Sequence, residues 1–383
     1  MSRFENLLEC AAQDGIVPGA VVFAKDKTGK IDYSKAVTGK DQCYNEDTVL
    51  EIASLTKLVT AIAALQLVEK GLVTLDEDVS NFIPAFTGQE VLDSFDEQGK
   101  PKTHKRRNMV TLRLLLTHSA GAGYPFTDTR LVQYATSTNQ PEKRNGTVDS
   151  NFDFPLSYEP SEGFMYSSSM DRVGQIVERI SGMPLEDYFS RNIWQPLGIN
   201  TGTFWDTNHP PMAMRLAPGE PAKPMLGMDT FTTGWTECSG GQGLFMSMKD
   251  YIKILYSLLK DDEKLLTKEM ASTIFKPCLS PASKAVLLKR MQTPTWLVGD
   301  FPETGEYDWS LGGLLVDGDK HDYRKRNTVI WSGASGCFWF IDRDAGVCGV
   351  FGTQVLPPAD PQVQPLIKAF EEEVYRQLGS CKD

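Results

Sequence analysis

The sequence predicts an α/β fold of the α+β kind: an antiparallel β-sheet flanked by helices, with a mostly helical second domain. Three observations carry this. Strand-like runs cluster at both ends of the chain, helical periodicity fills the middle, and the closing strands follow one another through short turns. Strands joined by short turns pair antiparallel, because a parallel pair needs a long crossover. The 383 residues exceed one small core and fit two domains or one large composite. We expect residues 1–75 and 290–383 to form a discontinuous sheet domain and 76–289 a mostly helical domain with long loops.

In chain order, residues 2–14 read as a helix. Gly19 to Ala24 reads as a buried strand, and 31–38 as its hairpin partner after the Lys27-Thr28-Gly29-Lys30 turn. A long helix spans 55–70 and stops at Gly71. Thr111–Thr117 is a second helical patch. Gly182 and Pro184 split two more, at 170–181 and 185–193, and the 3.6 period returns at 248–260 and 267–275. Ser310–Val316, Thr328–Trp331, Cys337–Ile341 and Val347–Thr353 read as strands, and Pro361 opens a final helix to Leu378. Residues 141–163 and 206–236 are rich in Pro, Gly and Met. Loops this long are either lids and binding walls or solvated insertions.

Composition narrows the partners. A net charge of −11 repels phosphate backbones, so nucleic acid is not an expected partner. No apolar stretch reaches the roughly 18 residues of a membrane span, and Met1 to Asp14 lacks the apolar run of a signal peptide. Cysteines at 10, 43, 238, 278, 337, 348 and 381 are odd in number and include no C-x-x-C pair. Free thiols in the cytosol are the expectation, where the Asn145-Gly146-Thr147 sequon has no role. The four histidines are dispersed and no H-E-x-x-H occurs, so neither a metal nor another cofactor is expected. Gly240-Gly241-Gln242-Gly243 follows a loop rather than a strand, which argues against a phosphate cradle.

The chemical signal begins at Ser54-Leu55-Thr56-Lys57. A serine hydroxyl needs an adjacent base, and residues i and i+3 at a helix start share a face, which sets the Lys57 amine beside Ser54. To act as a base the amine must be neutral, which burial favours. A second S-x-x-K, Ser257 to Lys260, is followed by Asp261, Asp262 and Glu263, acidic company that keeps a lysine charged. The alternative for Ser54 is a plain N-cap. Tyr166, in Tyr166-Ser167-Ser168-Ser169, sits in a polar turn before a helix and can relay a proton. Trp331-Ser332-Gly333-Ala334 lies between two strands, where small residues admit close approach of a substrate. The backbone N–H groups of Ser54 and Ala334 are the candidate oxyanion hole. The plainer readings are a tyrosine anchoring a loop and a β-turn.

The order S-x-x-K, then Y-x-S or Y-x-N, then [ST]-G near the C-terminus resembles the serine β-lactamase and penicillin-binding-protein superfamily, in its class C lactamase and esterase branch. Supporting stretches are EKGLVTLDEDV, TLRLLLTHSAG at 111–121 and GGQGLFMSMKDY at 240–251. Within that branch the chain resembles the fungal lovastatin acyltransferase (simvastatin synthase) group through GLVTLDEDV, RRNMVTLRLLLTHSAG and ECSGGQGLFMSMKDYIKILYSLLK. The resemblance implies a β-lactamase/transpeptidase-like fold with the active site in the crevice between the domains. It carries the nucleophile role onto Ser54, the base onto Lys57 and the relay onto Tyr166.

Two positions depart from the lactamase pattern. Trp331 stands where a lysine precedes [ST]-G, and Ser168 where an asparagine follows the tyrosine. Both argue against penicillin chemistry and for a neutral, apolar substrate. Ser169 or Gln242 could hydrogen-bond in place of the asparagine. We expect Ser168, Trp235, Gln242, Trp331, Ser332 and Gly333 at the substrate, with Trp339 and phenylalanines of the 204–236 segment completing an apolar wall. His118 in LLLTHSAG is expected to fix a loop. The basic run Lys100, Lys102, His104, Lys105, Arg106 and Arg107 is either a solvated loop or a docking patch for an acidic carrier protein.

The expected activity is acyl transfer from a thioester, through an acyl-enzyme on Ser54, to a hydroxyl of a hydrophobic small molecule. The alternatives are an esterase or thioesterase that uses water, and a binding protein on the same fold.

Overall fold

The computed structural model describes residues 2–40, 42–140, 146–206, 208–227, 231–293 and 297–379. Asn145 of the sequon, Cys381 and parts of both long loops lie outside them. α1 (Arg3–Gln13) opens on a capping box between Ser2 and Glu5. β1 (Gly19–Asp26) and β2 (Asp32–Thr38) form the expected hairpin. β3 (Val49–Glu51) leads into a 3-10 turn, Ala53–Leu55, and then α2 (Thr56–Glu69). β4 (Glu90–Phe95) and β5 (Pro101–Lys105) make a hairpin that periodicity did not announce. α3 (Leu112–Leu116), α4 (Thr129–Ser137) and α5 (Val148–Asn151) start from side-chain caps on Thr111, Asp128 and Thr147. α6 (Ser169–Ser181) stops at Gly182, whose φ of 69° is the left-handed exit glycine permits.

α7 (Leu185–Phe189) runs through a π turn into α8 (Gln195–Leu197). In the second long loop β6 (Ala213–Met214) and β7 (Lys223–Pro224) pair, and β8 (Phe245–Ser247) pairs with β3. α9 (Met248–Lys260), α10 (Lys268–Thr273) and α11 (Pro281–Arg290) follow. The chain closes with β9 (Tyr307–Trp309), β10 (Leu314–Val316), β11 (Val329–Gly333), β12 (Cys337–Asp342), β13 (Val347–Gly352), β14 (Val355–Leu356) and α12 (Gln364–Gln377).

Seven strands form one antiparallel sheet in the order β2-β1-β13-β12-β11-β10-β9. The N-terminal hairpin thus joins the C-terminal strands through β1 on β13, with Val21 opposite Gly352. β11, β12 and β13 are buried along their whole length, so they read as unbroken apolar runs rather than as alternations.

One expectation is corrected. Ser310–Val316 is not one strand. The Ser310 hydroxyl accepts from the N–H groups of Gly312 and Gly313, which turns the chain and makes β9 and β10 a hairpin. Two helices pack across the expected division of the chain. α9 lies inside 76–289 yet packs on β1, β12 and β13, whereas α2, inside 1–75, packs on α6 and α7. The cause is apolar surface: α9 buries Tyr251, Ile252, Leu255 and Leu259 against the sheet, and α2 is buried nearly all round between the two layers.

Candidate active site

The site is built on the junction of the two layers. Ala53 has φ of 46°, a left-handed conformation that costs an alanine on the order of 1–2 kcal/mol. Three bonds hold this turn in place. Thr56 Oγ1 donates to the Ala53 carbonyl at 2.7 Å, the Leu244 N–H donates to Thr56 Oγ1 at 3.1 Å, and the Tyr251 hydroxyl donates to the Leu55 carbonyl at 2.9 Å. α2 starts after the turn without a side-chain cap, so Ser54 is not its N-cap. Ser54 keeps partial exposure while its neighbours from 51 to 60 are buried.

Lys57 Nζ lies 3.2 Å from Ser54 Oγ and 2.6 Å from the Gly241 carbonyl. Burial pulls the amine from its ordinary 10.5 down to about 7, against an opposing pull from the carboxylate of Asp171. Its walls include Ala61, Leu116, Met170, Leu311 and Trp331, around a void of about 10 Å³ that is close to the size of one water. Lys57 Nζ also sits 4.6 Å from the centre of the Tyr166 ring.

Tyr166 is buried, and its hydroxyl is hydrogen-bonded to Ser54. It also accepts from Trp331 Nε1 at 3.1 Å. Burial pushes its pKa up, so at neutral pH it is a protonated phenol. His118, at φ of 55°, meets Ser167 Oγ through Nδ1 at 2.9 Å, and its ring lies 4.7 Å from that of Tyr166. Its carbonyl accepts from the Met165 N–H and the Tyr158 hydroxyl, the loop-fixing role expected of it. Burial holds the ring well below its usual pKa, and hence neutral.

On the sheet side, Gly333 ends β11 against the turn that carries Ser54. A Cβ there would lie 2.5 Å from the Ile52 carbonyl oxygen, so only glycine allows this approach. The chain at Ala334, partly exposed among buried neighbours, thereby comes up beside the turn that carries Ser54. Ser332 is buried within β11.

The tryptophans divide. Trp331 is not an open wall: it is buried against Trp309, with ring centres 4.5 Å apart, and its N–H holds Tyr166. Trp339, its cross-strand partner, is fully buried. Trp235 does line an open pocket of about 290 Å³, with Phe204, Trp205, Ser239, Gly243 and Phe245. Ser168 is turned inward. It is buried, and its hydroxyl donates to the Ala122 carbonyl at 2.9 Å, so that donor is used inside the protein. Gln242 is half-buried next to the Gly241 carbonyl that holds Lys57, and its N–H donates to Ser239.

Sequence reasoning missed Asp171, Tyr124 and the carbonyl of Gly241. An Asp in the first turn of a helix reads as an ordinary dipole partner, and a main-chain carbonyl has no signature at all. The second S-x-x-K is structural as expected: Ser257 donates to Asp262 at 2.6 Å. The basic run lies on and just after β5. There His104 pairs with Asp93 and Glu159, Arg106 with Asp78 and Arg107 with Glu159, while Lys100, Lys102 and Lys105 are exposed.

The beta-lactamase family model matches residues 4–371. The chain belongs to the beta-lactamase family. As a family member it is similar to the lovastatin esterase of Penicillium rubens, at 34% identity with 99% of each chain covered. It is also similar to the monacolin J acid methylbutanoyltransferase of Aspergillus terreus, at 33% identity with 97% of this chain and 95% of the relative covered. Among solved structures, a mutant simvastatin synthase of Aspergillus terreus superimposes with a TM-score of 0.90 at 31% identity, over 98% of this chain and 94% of the other. The antiparallel sheet flanked by helices is the β-lactamase/transpeptidase-like fold of those structures. This family member is accordingly a serine β-lactamase-like enzyme of the acyltransferase and esterase type. Among its described residues no helix is long and apolar enough to cross a membrane.

Proposed function

We propose that the protein is a serine acyltransferase that moves an acyl group from a thioester to a hydroxyl of a hydrophobic small molecule. The observation that carries this reading is the buried Lys57 amine, brought to about 7 and held 3.2 Å from Ser54 Oγ. About half of such amines are neutral at pH 7, against roughly one in a few thousand for a solvated lysine. In the first half-reaction Lys57 takes the Ser54 proton as Oγ bonds to the acyl carbon. The oxyanion formed accepts from the N–H groups of Ser54 and Ala334. The C–S bond then breaks, and the thiolate leaves with the proton returned by Lys57 through the Tyr166 hydroxyl. In the second half an alcohol gives its proton to Lys57, its oxygen bonds to the acyl carbon, and Ser54 Oγ leaves and regains a proton.

The pocket beside Trp235 and Trp205, whose aromatic wall is interrupted by Asp206 and Glu237, supplies the acceptor site, next to the 239–243 segment that holds Lys57. Trp331 brings no fixed cation to the sheet side, which suits a neutral acceptor. Ser168 and Trp331 are positioning residues in this reading, and Ser332, Gly333 and Gln242 flank the substrate. The monacolin J acyltransferase among the relatives supports a natural-product acceptor. A carrier-protein donor would meet Lys100, Lys102 and Lys105, and the free cysteines of the described residues fit the proposed cytosolic setting.

A second reading, hydrolysis of the acyl-enzyme by water, is favoured by the relative named as an esterase. Incubation with an acyl thioester, with and without candidate alcohols, separates the two. Transfer gives ester and ping-pong kinetics. Free acid formed at one rate with every alcohol, and no ester, replaces transfer by hydrolysis.

A further inference from the structure

Asp171 is a fully buried carboxylate in the first turn of α6. Its Oδ1 accepts from the Gly241 N–H at 3.0 Å and from the Ser239 hydroxyl at 2.5 Å, and its Oδ2 accepts from the Tyr124 hydroxyl at 3.1 Å. A Cβ on residue 241 would lie 2.5 Å from Oδ2, so the carboxylate fills the space beside that glycine. The same peptide segment turns its carbonyl to Lys57 Nζ, at 2.6 Å. One residue earlier, the Gly240 carbonyl accepts from Thr60 on α2 at 2.7 Å. The glycine segment is therefore clamped between α2 and α6, and Asp171 is its anchor on the α6 side.

The groups that face Lys57 can be named element by element. The segment after α3 brings His118 and Tyr124, the turn before α6 brings Tyr166, and α6 brings Asp171. Burial keeps His118 neutral and pushes both tyrosines up, so they remain phenols. β11 and β9 contribute Trp331 and Trp309, which do not titrate. Asp171 is the anion that faces the amine.

We propose that Asp171 is a positioning residue for acyl transfer. It fixes the Gly241 carbonyl that aims the Lys57 amine, and it supplies the buried negative charge that balances the ammonium formed when Lys57 takes the Ser54 proton. Three hydrogen bonds from uncharged donors satisfy the carboxylate without a contacting cation, and a nearby anion favours the charged form of the amine. Without it Lys57 is a weaker base, and the ammonium of each tetrahedral intermediate is unbalanced.

This inference rests on the Ser54 and Lys57 reading, and the test separates the two. The rate of covalent labelling of Ser54 by a fluorophosphonate is followed from pH 5 to 9. Wild type, Asp171→Asn, Ser239→Ala and Ser54→Ala are compared. Asp171→Asn should move the acidic limb down by at least one pH unit and lower the plateau more than about tenfold. Ser239→Ala, which keeps the charge, should leave the limb within a few tenths of a unit. A folded Asp171→Asn with the wild-type limb overturns the Asp171 role while Ser54 stands. Labelling of Ser54→Ala overturns the reading beneath it.

Should Asp171→Asn fail to fold alone, the Lys57→Met/Asp171→Asn double variant decides by thermal unfolding at pH 6. Charge balance predicts that the double variant folds, with a Tm close to that of Lys57→Met, and a double variant that also fails to fold overturns it.

Discussion

The depressed Lys57 amine ties rate and stability to one titration. The acid limb of kcat/KM should report it, because only the neutral amine accepts the Ser54 proton. With a value of about 7, activity should climb from about a tenth of its plateau at pH 6, through half at pH 7, to about nine-tenths at pH 8. The same shift is a stability statement. Below pH 7 folded and unfolded chains both carry a charged Lys57, and the cost of burying it is fully present. Between pH 7 and 10.5 the unfolded chain binds the proton and the folded one does not, so this group's contribution improves as pH rises. Each unit is worth about 1.4 kcal/mol, which gives about 3 kcal/mol between pH 7 and 9.5.

Lys57→Met removes this titration and leaves the others nearly unchanged. Its stability relative to wild type, measured by urea unfolding at both pH values, should therefore fall by about 3 kcal/mol from pH 7 to 9.5. The variant itself should be inactive. A difference that does not move with pH, or kcat/KM flat from pH 6 to 8, would refute a neutral buried amine.

Three further outcomes follow from the same geometry. Ser54→Ala should lose fluorophosphonate labelling, while Ser257→Ala, whose hydroxyl serves Asp262, should label as wild type; the reverse pattern excludes Ser54 as nucleophile. Trp331→Phe keeps an aromatic ring but removes the N–H given to Tyr166, which should lower kcat by about 5- to 100-fold, the equivalent of roughly 1–3 kcal/mol; an unchanged kcat would separate the indole from the tyrosine's role. Far from the site, Arg324 and Glu371 form a fully buried pair, and burial lifts Glu371 to about 7 despite its partner. Arg324→Met strands that carboxyl and should cost roughly 3–5 kcal/mol in urea unfolding at pH 8, where a loss below about 1 kcal/mol contradicts the accounting.

What was legible in the sequence follows a physical division. β1, β12 and β13 announced themselves because buried strands are unbroken apolar runs, and α6 because its apolar face repeats and Gly182 ends it. The β4–β5 hairpin did not, since strands such as Pro-Lys-Thr-His-Lys owe their pairing to the opposite strand rather than to a core. The same holds for α4, whose Leu131 alone is buried. In the site, Ser54 and Lys57 are three residues apart, so local spacing was enough to expect their contact. Tyr166 and Trp331 meet across the crevice, and only the resemblance had joined them. Trp331 was expected at the substrate because one sequence does not say which side of a strand end is covered, and Trp309 packs on it.

The way the sheet closes sets when the enzyme becomes reactive. β1 is sandwiched between β2 and β13, α1 packs on α12 through Phe4 and Phe370, and the turn that carries Ser54 rests against Gly333. During synthesis Ser54 and Lys57 leave the ribosome long before Trp331, Ala334 and β13 exist. Until those residues arrive, the N–H of Ala334 is missing and Trp331 does not hold Tyr166, so the proposed site is incomplete. A nascent chain passing through a pool of acyl thioesters is therefore inert in the proposed mechanism. Chemical competence is conferred by the last quarter of the polypeptide, so a truncated product is a silent protein rather than a leaky hydrolase.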